Sequence, residues 1–334
     1  MPPDPSSVTD DPASLARRVA DGDLSAVSAA LNRIDDDRPA NREAVLALLD
    51  ALEGGRHGAR IGVTGAPGSG KSTLLDALVS RLHTEGRSVG ILAVDPSSQR
   101  TGGALLGDRM RLGSAAREAG VFLRSLAARD QLGGLSEITG ASLDVLSAAF
   151  DLVFVETVGV GQSEAGVTDL VETLIFVAQP ASGDLIQFMK AGILEWPDIF
   201  FVNKSDLGGR AERTVAELRA GLTLGHRRDP GFEPPVLAGS ARDGVGIDEL
   251  IAAIDAHQAY LKASGQGGIR RREGRIARAR TAIVWRYGRF GLARLGGEGV
   301  IEARVDAHPG VSIERIIHDL GREIEHAFAT PSGD

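Results

Sequence analysis

Apolar residues recur at three- and four-residue spacing over the first part of the chain, with Leu15, Val19, Leu24, Val27, Ala30, Leu31 and Ile34 on the stripes. The spacing predicts helices from about Pro12 to Leu52, broken at "DGD" (21–23) and again at "DDDRPANRE" (35–43). From about Arg60 to Ser240 the texture changes. Short β-branched and aromatic runs alternate with helical stretches: "RIGV", "SVGILAV", "VFLRSL", "DLVFVE", "TLIFVA", "DIFFVN" and "PPVLAGS". Nearly continuous apolar strands separated by helices predict an α/β fold, a mostly parallel sheet covered on both faces. Residues 246–262 read as a closing amphipathic helix. A last helix, Ser312 to Ala327, carries Ile313, Ile316, Ile317, Leu320 and Ile324 on one stripe. Residues 1–10 carry no such pattern and read as disordered.

The strongest chemical signal is "GAPGSGKS", Gly65 to Ser72, which matches G-x-x-x-x-G-K-[ST] between an expected strand and an expected helix. Glycines at 65, 68 and 70 let successive backbone N–H groups turn inward around phosphate. The helix start adds the positive end of its dipole. The expected nucleotide contacts run Gly65, Ala66, Pro67, Gly68, Ser69, Gly70, Lys71, Ser72 and Thr73. Lys71 is expected to reach the outer phosphates and the Ser72 hydroxyl to ligate Mg²⁺. A glycine-rich turn with no ligand is the bland alternative.

About 130 residues later "NKSD", Asn203 to Asp206, follows an apolar strand. A carboxylate at Asp206 accepts from both the N1–H and the exocyclic amine of guanine, and adenine offers neither in that geometry. Asn203, Lys204 and Asp206 are therefore expected around a guanine base, so that GTP and GDP are the ligands. Ser240 and Ala241, in "GSAR", resemble the backbone loop that supports guanine in GTPases.

The strand "LVFV" stops on Glu156. A carboxylate at a strand end between P-loop and base loop is expected to serve Mg²⁺. Glu156 to Gly159, "ETVG", resembles the D-x-x-G switch of GTPases with glutamate in place of aspartate, which gives Gly159 an N–H for the γ-phosphate. Asp95 ends another strand and Asp108 lies shortly after it; each is readable as a further Mg²⁺ group or as a loop cap. Ser72, Asp95, Asp108 and Glu156 form the expected metal set. Gln162 lies three residues beyond Gly159 and does not match the glutamine next to the switch glycine of Ras-type proteins.

Composition narrows the classes. The chain has 334 residues, 43% of them hydrophobic, with a net charge of −8 and no cysteine. The acidic balance speaks against nucleic acid or an anionic membrane as main partner. No apolar run approaches the ~20 residues of a membrane helix. The acidic start has no export pattern, so cytoplasmic residence is the expectation. Without cysteine there is no thiolate metal site or nucleophile, and the seven histidines form no spaced cluster. The arginine-rich stretch 270–294 stays open between a solvated face, ion pairs across a dimer, and a docking surface for an acidic partner.

Together "GVTGAPGSGKSTLLDAL", "AVDPSSQRTGGALLGDRMRL", "FLRSLAARDQLGGLSEIT", "VFVETVGVGQSE" and "FFVNKSDL" resemble the MeaB/ArgK-type G proteins. The resemblance is close over roughly residues 14–260 and loose beyond. It implies a P-loop GTPase fold with a helical N-terminal extension (1–56), a G domain (57–262) and a C-terminal helical dimerisation region (263–334). It implies a GTPase that is slow alone, is stimulated by an adenosylcobalamin-dependent acyl-CoA mutase such as methylmalonyl-CoA mutase, gates delivery of the cofactor to it, and works as a homodimer. It places Gln179 to Gly192 as a partner-sensing switch and Lys190, with Lys71, Glu156 and Asp95, among the catalytic residues. The chain departs from the family at Asp130-Gln131 before Leu132-Gly133-Gly134, and at Ala191, where a second lysine is common. A P-loop kinase and a nickel metallochaperone GTPase are the competing readings.

Overall fold

The computed structural model describes residues 11–96, 121–128, 137–157, 164–180, 192–223 and 227–329. All seven expected runs are strands: β1 (Ala59–Thr64), β2 (Val89–Pro96), β3 (Val121–Ala128), β4 (Leu152–Thr157), β5 (Thr173–Ala178), β6 (Ile199–Val202) and β7 (Val236–Ala238). They form one parallel sheet in the order β3-β2-β4-β1-β5-β6-β7. Helices are α1 (Pro12–Ala20), α2 (Leu24–Asp35), α3 (Arg42–Glu53), α4 (Lys71–Thr84), α5 (Glu137–Ala149), α6 (Glu164–Thr168), α7 (Gly209–Leu222), α8 (Ile247–Ser264), α9 (Gln266–Arg294), α10 (Glu298–Ala307) and α11 (Ile313–Ala329). The chain divides into two compact units, residues 59–136 with 151–274, and residues 1–58 with 137–150 and 275–334. No described helix is long and apolar enough to cross a membrane. The expected disorder of residues 1–10 lies outside the described residues.

In the sheet unit, alternation along the strands splits the core into two layers. Ile175 and Val177 of β5, with Ile199 and Phe201 of β6, join Ile61, Val63 and Phe154 under α4 and α8. The intervening Phe176, Ala178, Phe200 and Val202 face the other way, against Ala211 and Leu218 of α7. Each fully buried side chain of this kind contributes roughly 1.5–3 kcal/mol of burial free energy. This two-sided burial is why the strands read as continuous apolar runs.

Arginines at the start of α9 fasten it to the edge where β5 and β6 begin. Arg270 Nη1 donates to Asp198 Oδ1 at 2.9 Å, and Arg271 Nε donates to Glu172 Oε1 at 2.5 Å. Glu172 in turn accepts from the Arg60 N–H at 2.9 Å. Asp198, Glu172 and Arg270 are all buried.

In the helical unit, Asp23 ends the "DGD" break by capping α2, its Oδ1 accepting from the N–H groups of Ser25 (2.8 Å) and Ala26 (3.2 Å). Helix α5 packs against α2 and α3. A second cluster joins Ala279, Ala282 and Ile283 of α9 to Ile301 of α10 and to Ile313, Ile316, Ile317, Leu320 and Ile324 of α11. Arg275 pairs with Glu53, and Arg278 with Asp144 (3.1 Å) and Glu314. Burial lowers the affinity of Arg278 for its proton, but Asp144 and Glu314 override it and the net shift is upward. Much of the arginine-rich stretch therefore pairs within the chain, while Trp285 stays exposed. A break at Gly288 (φ 63°, ψ −175°) interrupts α9.

Candidate functional site

Because the strands are parallel, β1, β4, β5, β6 and β7 all end at one edge, the usual ligand edge of such sheets. The segment from Gly65 to Gly70 links β1 to α4 there. Gly65, Gly68 and Gly70 all have positive φ, and at two of them a side chain would also collide with its surroundings. Gly65 has φ +142°, and a Cβ on it would run into the Val177 carbonyl. Gly70 has φ +91°, and a Cβ on it would run into the Asn203 amide. Gly70 precedes α4 with no side-chain cap, so the first N–H groups of that helix are not claimed by a capping residue. Pro67, Gly68 and Thr73 are exposed, whereas Gly65, Ala66, Ser69 and Lys71 are buried.

Lys71 folds back over its own loop. Its Nζ donates to the carbonyls of Gly65 (2.9 Å) and Ala66 (3.1 Å). The Ser72 Oγ donates to Glu156 Oε1 at 2.7 Å. Glu156 is buried near the end of β4, opposite Val63 of β1. The backbone of Asp95 lies in β2 next to its last residue, Pro96, and one residue beyond Val94, the partner of Thr157 on β4. Of the expected residues, Asp108, Gly159 and Lys190 lie outside the described residues.

The base loop is bound to the P-loop through Asn203. Its Nδ2 donates to the Ser69 carbonyl at 2.9 Å, and its Oδ1 accepts from the N–H groups of Lys204 (2.8 Å) and Ala241 (3.0 Å). One amide thus ties together the three segments that the sequence placed around a nucleotide. Lys204 has a left-handed backbone (φ 61°), strained for a residue with a Cβ. Its Nζ offsets this by donating to the Gly68 carbonyl (2.6 Å) and to Gln179 Oε1 (2.9 Å). Gln179 was expected in a partner-sensing segment, and nothing in its neighbourhood in sequence pointed to Lys204.

Asp206 faces the loop after β7. Ser240 Oγ lies 3.2 Å from Asp206 Oδ1 and 2.7 Å from Asp243 Oδ2. Arg242 Nη2 lies 3.3 Å from Asp206 Oδ2, and its guanidinium also holds Asp243, with Nε 3.0 Å from Oδ1. The hydrogen bond from Arg242 draws the Asp243 carboxyl below its ordinary range, and Asp243 draws Arg242 upward. Arg242 and Asp243 were not singled out from sequence, although they directly follow Ser240-Ala241.

Chemically, the P-loop amides and Lys71 suit phosphate, and the hydroxyl and carboxylate of Ser72 and Glu156 offer adjacent hard oxygens of the kind Mg²⁺ takes. The base loop offers one carboxylate, Asp206.

Known proteins match the chain closely. The family described as "Methylmalonyl Co-A mutase-associated GTPase MeaB" matches residues 27–286. A Mycobacterium tuberculosis protein named Probable GTPase is 39% identical over 324 residues, covering 95% of this chain and 91% of that protein. The mouse protein named "Methylmalonic aciduria type A homolog, mitochondrial" is 38% identical over 210 residues, covering 62% of this chain and 51% of its own length. A solved structure titled LAO/AO transport system kinase superposes with a TM-score of 0.68 at 26% identity, covering 96% of this chain and 98% of that one. The chain belongs to the MeaB family and is a GTPase.

Proposed function

We propose that the protein binds Mg·GTP at this edge and, as a homodimer joined by its C-terminal helices, gates adenosylcobalamin delivery to an acyl-CoA mutase in the cytoplasm. The single observation that carries the nucleotide chemistry is the Ser72–Glu156 hydrogen bond. It couples the P-loop to the carboxylate from which the switch segment departs. The link to a mutase rests on the family's description and on the name of the mouse relative.

In this reading Ser72 and Glu156 would hold Mg²⁺, and Asp95 and Asp108 are the further residues proposed to serve it. The ion supplies charge neutralisation for the transferred phosphoryl group. Lys71 leaves the Gly65 and Ala66 carbonyls for the outer phosphates, and Asp206 reads guanine. Among the described residues no water-orienting group stands at this edge. Partner binding to 157–166 and 179–192 then completes the site, which makes hydrolysis slow alone and faster in the complex.

The test is capture of partners on immobilised, nucleotide-loaded protein, followed by GTP hydrolysis with and without the B12 enzyme recovered. Stimulation by that mutase supports the reading. Full-rate hydrolysis by the isolated protein, unmoved by any cognate mutase, overturns it. The kinase named by the solved relative's title is the second reading. Phosphate appearing on an acceptor instead of in solution would favour it.

A further inference from the structure

The guanine-reading carboxylate does not stand alone. Asp206 and Asp243 both touch one hydroxyl, Ser240 Oγ, at 3.2 and 2.7 Å. A serine has a single hydrogen to donate. The shorter contact claims it for Asp243, and the two carboxylates are left close together with like charge. Arg242 lies across both. Its Nε and Nη2 donate to Asp243 at 3.0 and 3.2 Å, and Nη2 reaches Asp206 Oδ2 at 3.3 Å. Arg242 is thus the cation that lets Asp206 stay beside Asp243, and the donor left to fix its rotation.

We infer that Arg242 is a positioning residue for guanine specificity, holding the Asp206 carboxylate in the plane that accepts both the N1–H and the exocyclic amine. The inference rests on the reading of Asp206 as the guanine receptor. A carboxylate has about four lone-pair positions, so Arg242 and guanine share Asp206 without displacing one another. Asp243 serves as the fixed end of the clamp. It grips the guanidinium through two hydrogen bonds, the bidentate geometry in which arginine exceeds lysine.

The experiment measures equilibrium binding of GDP, IDP and ADP to the full chain and to R242A and R242K. IDP lacks the exocyclic amine, so the GDP-over-IDP ratio reports how well that one hydrogen bond is aimed. The Arg242 side chain is 72% exposed, so removing it leaves the core intact. The exposed pair sets the scale: R242A lowers the GDP-over-IDP ratio by about two- to fivefold. R242K restores only part of it, because lysine returns a cation between the carboxylates but not the planar fork that grips Asp243 and reaches Asp206 together. Added salt lowers the ratio in the unaltered protein but not in R242A, because exposed pairs are screened. A role confined to folding would move neither the ratio nor its salt dependence. An unchanged or increased ratio in R242A overturns the inference while the guanine reading stands. Equal affinity of the unaltered protein for GDP and ADP overturns the guanine reading itself, and the inference with it.

Discussion

Ser72 on the first turn of α4 and Glu156 near the end of β4 meet through a 2.7 Å hydrogen bond. The two residues come together because β1, which launches the P-loop, pairs with β4 in a register that sets Val63 opposite Glu156. Replacing Glu156 with Gln keeps an acceptor for the serine and removes the charge. The E156Q variant is expected to fold normally and to lose about 10- to 100-fold in Mg²⁺-dependent GTP hydrolysis, the range seen when groups orienting a metal are altered. Phosphate release measured across a Mg²⁺ titration checks this; a rate unchanged at low Mg²⁺ counts against the assignment.

Base selectivity follows from Asp206. An Asp206→Asn variant presents an amide N–H toward the guanine donors and loses an acceptor. Its affinity for GTP is expected to fall at least about tenfold, the consequence of leaving buried donors unpaired. ATP affinity should hardly move. Competition titrations of GTP and ATP against a fluorescent nucleotide decide the point.

The P-loop glycines make separable contributions. Gly68 and Gly70 both have positive φ, so alanine strains either one. Only at Gly70 would the new methyl also strike Asn203, whose amide binds Ser69, Lys204 and Ala241. G70A is therefore expected to weaken GDP binding about tenfold more than G68A does, by breaking the buried amide contact as well. Calorimetric titration of both variants measures the difference. Equal losses would mean that Asn203 does not transmit the contact between base loop and P-loop.

Much of this was legible in the sequence, and the reasons are local. Strands such as "DLVFVE" and "DIFFVN" are buried on both faces, so their burial is written in consecutive residues. The P-loop and base loop depend on short backbone segments whose glycines and polar groups sit together in the chain. What escaped was pairing over distance. Helix α5 carries buried residues on nearly every side, including Thr139, Ser142 and Ser147, so periodicity gave no sign that it packs with the N-terminal helices. The arginine-rich stretch showed its charge but not its partners, because Glu53, Asp144, Glu172 and Asp198 lie far away in sequence. Arg242 was passed over because an arginine after a loop motif is ordinary until Asp206 is seen beside it.

The last prediction concerns stability against pH. His257 of α8 is fully buried, its Nδ1 2.9 Å from Thr173 Oγ1. Gln258 Nε2 donates to that same oxygen at 2.6 Å. Burial draws the histidine down to about 4 from 6.5; Asp198 and Asp229 oppose the shift, and Arg270 and Arg228 add to it. Below 6.5 the unfolded chain therefore takes up a proton that the folded chain refuses. Stability is fully present above 6.5, falls as pH drops toward 4, and levels off below. The loss is of the order of 3 kcal/mol at most. Urea unfolding of the full chain followed at pH 7.5, 6.0 and 5.0 should show the midpoint declining with acid. His257→Asn keeps a polar partner for Thr173 without a titrating ring, so the variant is less stable at pH 7.5 but its midpoint declines less. Parallel declines in both proteins would place the acid sensitivity elsewhere, among the carboxylates.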